Sequence, residues 1–480
     1  MRPDWLFDRS DEWARLTSFA QARGAGLAIV YGRRRQGKTS LVEAVTSVSD
    51  GFYWQARQQS SAQNLASVSH AIAQWGGLAA TPLYQSWEGA FVALFALRGP
   101  GSSPLPVAID EFGYLLETAP EVASIIQAQL TPASNRSGST RLILCGSAFS
   151  QMRSLLAGDA PLRGRASLEL VVGPFNYRLA AEYWGLQDNP RSAFDVHALV
   201  GGTPGYLPLA GAAPRRGDVR SWAIEHVLLP TSPLHREGRA SVAEDAALGD
   251  RSLYWGLLAA VADGSARRSE IAEEIRRPTG ALAFPLRVLL EAGWIEQRDD
   301  PLHKSRSSVL LTEPMVRTHR VLIEPEELRL ARGQAAAVWD DASARVATLI
   351  HGPHLEWMAC EWALSFADPN TLGGSPRLVG PSVWSYGQRR SQIDLVAVQP
   401  DARGADRVIA IGETKATASA TGVDQLARLD NIVERLGDRG APMVKRILTA
   451  RAGFTAELRR TARSRPDVEL VDLDRLYNGS

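Results

Sequence analysis

The chain has 480 residues, too many for one hydrophobic core, and that length suggests roughly three domains. Its 53 basic and 52 acidic side chains leave a formal net charge of +1, which argues against a nucleic-acid-binding tail or a generally basic coat while allowing a local basic cleft. The two distant cysteines, Cys145 and Cys360, make neither a disulfide framework nor a zinc site, and without an apolar N-terminal core or a run near the roughly 18 apolar residues of a membrane span the chain reads as cytoplasmic, with no membrane partner.

In chain order, the first strong element is the apolar run Leu27 to Tyr31, which reads as a buried parallel strand. Gly32-Arg33-Arg34-Arg35-Gln36-Gly37-Lys38-Thr39 follows, and a helical pattern opens at Ser40, so strand, GxxxxGK[ST] and helix stand in that order. Gly32 and Gly37 let the loop curl so that successive backbone N–H groups, those of Arg33, Arg34, Arg35 and Gln36 included, point at phosphate. Lys38 reaches the β- and γ-phosphates, Thr39 offers its hydroxyl to Mg²⁺, and the helix beginning at Ser40 turns its positive end to the anion. The ligand expected is ATP with Mg²⁺.

A strand is expected at 51–55, and another at Leu105 to Asp110, ending in an acidic pair. Acidic pairs after apolar runs are common, but with Lys38 upstream Asp110 is expected to hold the Mg²⁺ shell and Glu111 to polarise water. The run Arg141 to Ala148 is a fourth strand that would present Ser147 to the γ-phosphate. Four strands separated by helical patterns make an α/β core with a parallel sheet and its functional loops at one edge.

Leu6-Phe7-Asp8-Arg9 with Glu12 and Leu16, the triple-arginine loop, Ile109 to Phe112, Pro161-Leu162-Arg163-Gly164-Arg165 and Gly201 to Leu207 extend the pattern over the first two hundred residues. Together they resemble the prokaryotic STAND-type P-loop ATPases related to the AAA+ group, which pair this domain with a winged helix and a C-terminal nuclease-like domain. The resemblance implies an ATP-hydrolysing switch in which Arg165 senses or stabilises the γ-phosphate and Gly202-Thr203-Pro204 positions a lid over the nucleotide. Surface packing is the alternative for Arg165. Gly205 departs from the pattern, standing where many relatives carry a basic or larger residue.

From Phe175 to about Asp245 apolar residues recur at helical spacing and suit a helical lid, with Pro230, Pro233 and the polar run His235 to Arg239 read as a linker. Helices at Leu253 to Ala262, Arg268 to Ile275 and Ala281 to Ala292, then strands at Trp294 to Arg298 and Ser308 to Leu311, make a winged helix. Gly293 ends the third helix and Asp299 to Arg306 form the wing. The third helix carries few groups able to read base edges, which favours protein packing over sequence reading, although Lys304 and Arg306 can still meet phosphate.

The last third holds two strands, Ser391 to Val398 and Val408 to Lys415, around a polar turn at Asp401 to Gly404. Residues two apart on a strand share a face, so Glu413 and Lys415 should point together towards Asp394 across the hairpin. Asp394 and Glu413, joined by Glu356 from the helix Leu355 to Trp362, can hold Mg²⁺, and Lys415 can orient or deprotonate water near a phosphodiester. Glu361 competes with Glu356 for the helix position, and Gln425 begins the following helix. The family resemblance would place a PD-(D/E)xK restriction-endonuclease-like fold here, with DNA as substrate; the rival is a non-cutting copy that binds nucleic acid or a protein partner. His351 and His354, on a Pro-Gly turn with no further ligands, read as surface histidines. The expected division is a P-loop core over 1–170, a lid over 171–245, a winged helix over 246–325 and a nuclease-like α/β domain over 326–480, with self-association left open.

Overall fold

The computed structural model describes residues 1–78, 81–82, 84–97, 105–131, 140–147, 149–245, 248–386 and 389–480. Ala148, expected to close the fourth strand, and Ala246, expected to open the winged helix, lie outside the described residues.

Strands β1 (Gly26–Tyr31), β2 (Phe52–Gln55), β3 (Leu105–Asp110), β4 (Thr140–Gly146) and β5 (Ala166–Val171) form an all-parallel sheet in the order β2-β3-β4-β1-β5. β1, β3 and β4 are buried along their whole length, as strands covered on both faces must be. The period of two divides β1 between two cores. Leu27, Ile29 and Tyr31 pack with Phe52, Phe91 and Phe112, whereas Ala28 and Val30 pack with Leu16, Leu41 and Val42. β5 was not among the expected strands. As an edge strand it leaves Ser167 and Glu169 facing solvent, and only Leu170 is fully buried. Its pairing places β1 inside the sheet.

The helices Arg251–Ala262, Arg268–Glu274 and Ala283–Glu291, followed by the antiparallel hairpin β6 (Ile295–Asp299) and β7 (Ser307–Leu311), enclose a cluster of their own that includes Leu257, Leu289 and Trp294. The hairpin is docked on the C-terminal region: Ser382 donates to Asp300 in its loop at 2.5 Å, and Arg298 of β6 pairs with Glu361 at 2.5 Å. Lys304 and Arg306 stay exposed.

The C-terminal region is a mixed sheet of β8 (Leu378–Tyr386), β9 (Arg389–Pro400), β10 (Asp406–Lys415), β11 (Gly440–Ala450) and β12 (Val468–Asp472), ordered β12-β11-β10-β9-β8. β8, β9 and β10 run antiparallel, and β10, β11 and β12 parallel. The helix Gly352–Ser365 supplies Met358 and Ala359 against Leu395 and Ala410, and the helix Val423–Val433 supplies Leu426 and Leu429 against Ile411 and Leu448.

Two expectations fail here for the same reason, namely that charged or polar residues are buried by distant partners. Residues 230–239 are not a linker. Pro233 opens the helix Pro233–Ala243, where a missing N–H costs nothing, and His235, Glu237 and Gly238 are buried. A Cβ at Gly238 would lie 2.5 Å from the Met315 carbonyl oxygen, so glycine sets the approach of this helix to Pro314–Thr318. His351 and His354 are not surface residues, at 8% and 4% exposure. A wide helical turn, Ala347–His351, runs straight into Gly352–Ser365 and packs both rings against Phe194. One apolar cluster is therefore continuous from Phe194 and Leu199 through Met315 and Ile350 to Leu395 and Ile409, joining the lid to the C-terminal sheet. Among the described residues no helix is long and apolar enough to cross a membrane.

Candidate nucleotide site and a C-terminal carboxylate cluster

The C-terminal ends of β1, β3 and β4 open on one edge of the sheet, where ligands of open α/β sheets bind. The loop after β1 needs its glycine: a Cβ on Gly32 would meet the Val172 carbonyl oxygen at 2.1 Å. Arg35 (φ 65°) and Gly37 (φ 85°) curl the chain into the helix Lys38–Val48. Lys38 is 6% exposed and donates to the Arg33 carbonyl at 2.7 Å, while burial pulls its pKa down. Asp110 and Glu111 attract this ammonium from a distance, and phosphate oxygens would give it a directly bonded anionic partner in place of a neutral carbonyl.

A chain of hydrogen bonds links the remaining groups. Thr39 Oγ1 donates to Asp110 at 2.7 Å, and Tyr53 donates to the same carboxylate oxygen at 3.0 Å. The Glu111 N–H donates to the other Asp110 oxygen at 2.8 Å, and Ser147 Oγ donates to Glu111 at 2.9 Å. Glu111 sits at φ 49°, a left-handed conformation that costs a non-glycine residue on the order of 1 kcal/mol and turns the carboxylate out of the strand. Lys38, Thr39, Asp110, Glu111 and Ser147 thus come together. Lys38, Thr39 and Glu111 border a cavity of about 510 Å³ that Arg34, Arg35, Gly37 and Ser40 also line, closed on the lid side by Tyr183, Pro204 and Gly205. Gly205 donates its N–H to the Arg35 carbonyl at 3.0 Å, and a Cβ there would lie 2.5 Å from Arg35 Cβ. Close packing of lid on loop accounts for the glycine. Gln36 is buried, and its carbonyl accepts from Arg9 at 2.8 Å.

Arg165 is placed elsewhere. β5 runs parallel to β1 with Leu27 beside Ala166 and Tyr31 beside Val171, so Arg165 stands at the start of β5, at the edge opposite the loop. Within one chain it does not reach the phosphate cavity. The three loop arginines also have other partners. Arg33 does not line the cavity; it is buried in an ion pair with Glu313 at 2.7 Å, lies 4.8 Å over the Trp294 ring, and shares Glu313 with Thr203. Arg35 forks onto Glu237 at 2.7 and 3.0 Å. Arg34 pairs with Glu244 and with the Tyr114 hydroxyl at 3.1 Å. Glu237, Glu244 and Glu313 escaped sequence reasoning because each lies more than 200 positions from its arginine.

In the C-terminal sheet the register Leu395 beside Gly412 carries Asp394 and Glu413 to neighbouring positions on adjacent strands. Asp394 accepts from the Thr414 N–H at 2.9 Å and from its hydroxyl at 3.1 Å. Glu413, 3% exposed, holds Lys415 at 2.6 Å and Arg428 through one oxygen, while its other oxygen is buried without a hydrogen-bond partner among the described residues. Burial, then the charges of Asp394 and Glu413, push the Glu356 carboxyl up to about 7. Burial, then Glu413, push Asp394 up to about 6 against the two Thr414 bonds. Crowded acids with one orphaned oxygen suit a divalent cation, with Glu356, Asp394 and Glu413 as the oxygens to hold it. The side chains are not drawn into a closed shell, for among the described residues no group of three acids, histidines or cysteines has metal-holding geometry. Glu361 bonds Arg298 in the hairpin, leaving the helix position to Glu356. Arg428 was missed; its one sequence signal is its place one turn beyond Gln425.

The parallel sheet, its glycine-rich loop and the acidic pair at the neighbouring strand end define a P-loop NTPase fold. No family model matches the chain. An uncharacterized protein of Methanocaldococcus jannaschii is 24% identical over 205 residues, which span 42% of this chain and 43% of that relative. Among solved structures, the Walker-type ATPase PABY2304 of Pyrococcus abyssi is similar with a TM-score of 0.52 and 21% identity over 66% of this chain and 97% of its own. The ORC2 protein of Aeropyrum pernix, solved as ADPNP-ADP complexes, gives 0.42 and 17% over 70% of this chain and 96% of its own.

Proposed function

We propose that the chain is an ATP-binding and ATP-hydrolysing switch of the STAND type, related to the AAA+ ATPases, whose C-terminal PD-(D/E)xK nuclease-like domain acts on DNA with Mg²⁺ in the cytoplasm. The observation that carries the ATPase reading is the hydrogen-bonded array from Thr39 through Asp110 and Glu111 to Ser147 beside the buried Lys38. Lys38 exchanges the Arg33 carbonyl for the β- and γ-phosphates. Thr39 and Asp110 hold Mg²⁺, which when bound offsets phosphate charge. Glu111 orients the attacking water and takes its proton, and Ser147 fixes the direction of that carboxylate. The Gly205 bond to Arg35 connects the loop to the lid, and the Arg33–Glu313 pair connects it to the segment that follows the β6–β7 hairpin, within the winged helix proposed over 246–325. Lys38→Ala should abolish tight ATP binding in a calorimetric titration; unchanged affinity refutes the assignment.

The nuclease reading is supported by Asp394, Glu413 and Lys415 on neighbouring strands of the mixed sheet, with Glu356 from the helix Gly352–Ser365 beside them. A second reading, a regulatory ATPase whose nuclease-like domain binds DNA or a protein without cutting, is favoured by one observation: Glu413 is already held by two cations, Lys415 and Arg428. Cleavage of single- and double-stranded DNA with Mg²⁺ or Mn²⁺ separates the two. Activity lost in Asp394→Ala and Glu413→Ala supports cutting, whereas no cleavage in any nucleotide state, or equal cleavage by both variants, leaves the second reading.

A further inference from the structure

A cavity of about 370 Å³ lies between the lid, the helix Pro314–Thr318 and the helix Gly352–Ser365, and shares no lining residue with the P-loop cavity. Its size falls within the roughly 300–1,000 Å³ of small-molecule sites. Phe175, Tyr177, Trp357 and Phe366 give it aromatic walls. Trp357 is held in a fixed plane by stacking on His197, with centroids 5.9 Å apart and 15° between planes, and on His354, at 5.6 Å and 24°.

The polar side of the cavity is unfinished. Arg317 lines it, and among the described residues its guanidinium has no hydrogen bond or ion pair, with Nε buried. Glu356 lies near enough to attract it without bonding it, and Glu361, the carboxylate in the cavity wall, is bonded to Arg298 at 2.5 Å. His197 Nδ1 meets His354 Nε2 at 3.0 Å, and His197 Nε2, on a ring 5% exposed, is buried without a partner. A desolvated guanidinium is unfavourable unless an anion completes it, and its planar fork matches phosphate or carboxylate oxygens. Burial lowers the pKa of His197 to about 4, so the ring is neutral and Arg317 is the one cation among these groups.

We infer that this cavity binds one nucleotide unit, its base against the aromatic walls and its phosphate on Arg317. Aromatic faces accept any base, and one guanidinium suits a phosphate monoester or diester in place of a polyphosphate. The unit is either a free mononucleotide or the terminal residue of a DNA strand, and neither source depends on ATP hydrolysis or on cleavage. Because the walls come from three segments, occupancy would fasten the lid to the C-terminal sheet.

The test uses the full-length Lys38→Ala protein, so that the P-loop does not compete, in equilibrium dialysis with 2′-deoxyadenosine 5′-monophosphate and, separately, with a short 5′-phosphorylated single-stranded oligothymidylate. Saturable binding is expected for at least one probe, weakened about tenfold or more, equivalent to about 1.4 kcal/mol, by Arg317→Gln and by Ser365→Trp, which fills the cavity without altering a charge. Binding of the mononucleotide identifies the free ligand, and binding of the oligonucleotide alone identifies a strand end. The inference is overturned if neither probe binds at millimolar concentration, if deoxyribose 5-phosphate binds as tightly as the mononucleotide, or if both variants bind like their parent. Ser365→Trp keeps the test decisive should Arg317→Gln fail to fold.

Discussion

Replacing Glu313 with alanine tests whether the P-loop is fastened to residues 280 positions away. The change leaves the Arg33 guanidinium, 9% exposed, with its charge uncompensated beneath Trp294. It also removes the acceptor for Thr203, 3.2 Å away, and the cap of the helix Pro314–Thr318. Breaking one side of a buried ion pair costs about 3–5 kcal/mol, and an orphaned hydroxyl adds about 1 kcal/mol. The expected loss is therefore about 4–6 kcal/mol of local stability. Burial raises the Glu313 pKa while Arg33 lowers it, the balance of a pair whose attraction mainly offsets its own desolvation. The apolar double replacement Arg33→Met/Glu313→Leu should accordingly return to within about 2 kcal/mol of the parent. A chain with several cores does not unfold in one step, so the measurement is native-state hydrogen exchange of the helices Lys38–Val48 and Pro314–Thr318, read as opening free energies. Protection in Glu313→Ala within about 1 kcal/mol of wild type, or a double variant worse than either single one, refutes the coupling.

Three further outcomes follow from the geometry. Burial holds His197 and His351 at about 4, below the roughly 6.5 of an unfolded histidine, so the unfolded chain binds more protons between those values; stability should fall on acidification through that window, by up to about 3 kcal/mol per ring, and a flat profile of denaturant midpoint against pH would contradict it. Gly205→Ala drives a methyl to 2.5 Å from Arg35 Cβ, and should cost about 1–3 kcal/mol and weaken ATP binding by displacing the loop, as a calorimetric titration will show. Glu111→Gln keeps the shape of the array while removing the base, so ATP affinity should persist as phosphate release slows by about 100-fold or more; unchanged hydrolysis would take Glu111 out of the reaction.

The groups proposed to handle phosphate could be picked out because the pattern that joins them is local. Lys38 and Thr39 occupy one loop, and Asp110 and Ser147 end apolar runs that only a parallel sheet could bury, with its loops gathered at one edge. Arg165 came from the family resemblance and not from local chemistry, and a motif carried over in that way does not say which end of an unrecognised strand it adjoins. β5 escaped because an edge strand keeps polar residues at alternate positions, and its Ser167 and Glu169 resemble a loop. In the C-terminal region Asp394, Glu413 and Lys415 followed from strand periodicity, but Arg428 could not, because its partner is fixed by how the helix Val423–Val433 crosses the sheet.

The largest misreading, the supposed linker at 230–239, shows what local reasoning lacks. Glu237 looked solvated because a lone carboxylate inside a protein is costly, and that cost is met by Arg35 from the P-loop. The three loop arginines present their guanidinium groups to glutamates of the lid and of the segment after the hairpin, while Arg34 and Arg35 also line the cavity beside Lys38. One loop thus faces two ways. Any movement of residues 33–35 that accompanies triphosphate entry must strain or break ion pairs with Glu237, Glu244 and Glu313. Since Glu313 caps a helix whose Met315 belongs to the core shared with Ile350 and Leu395, such strain has a packed path to the C-terminal sheet without a hinge or a flexible tether.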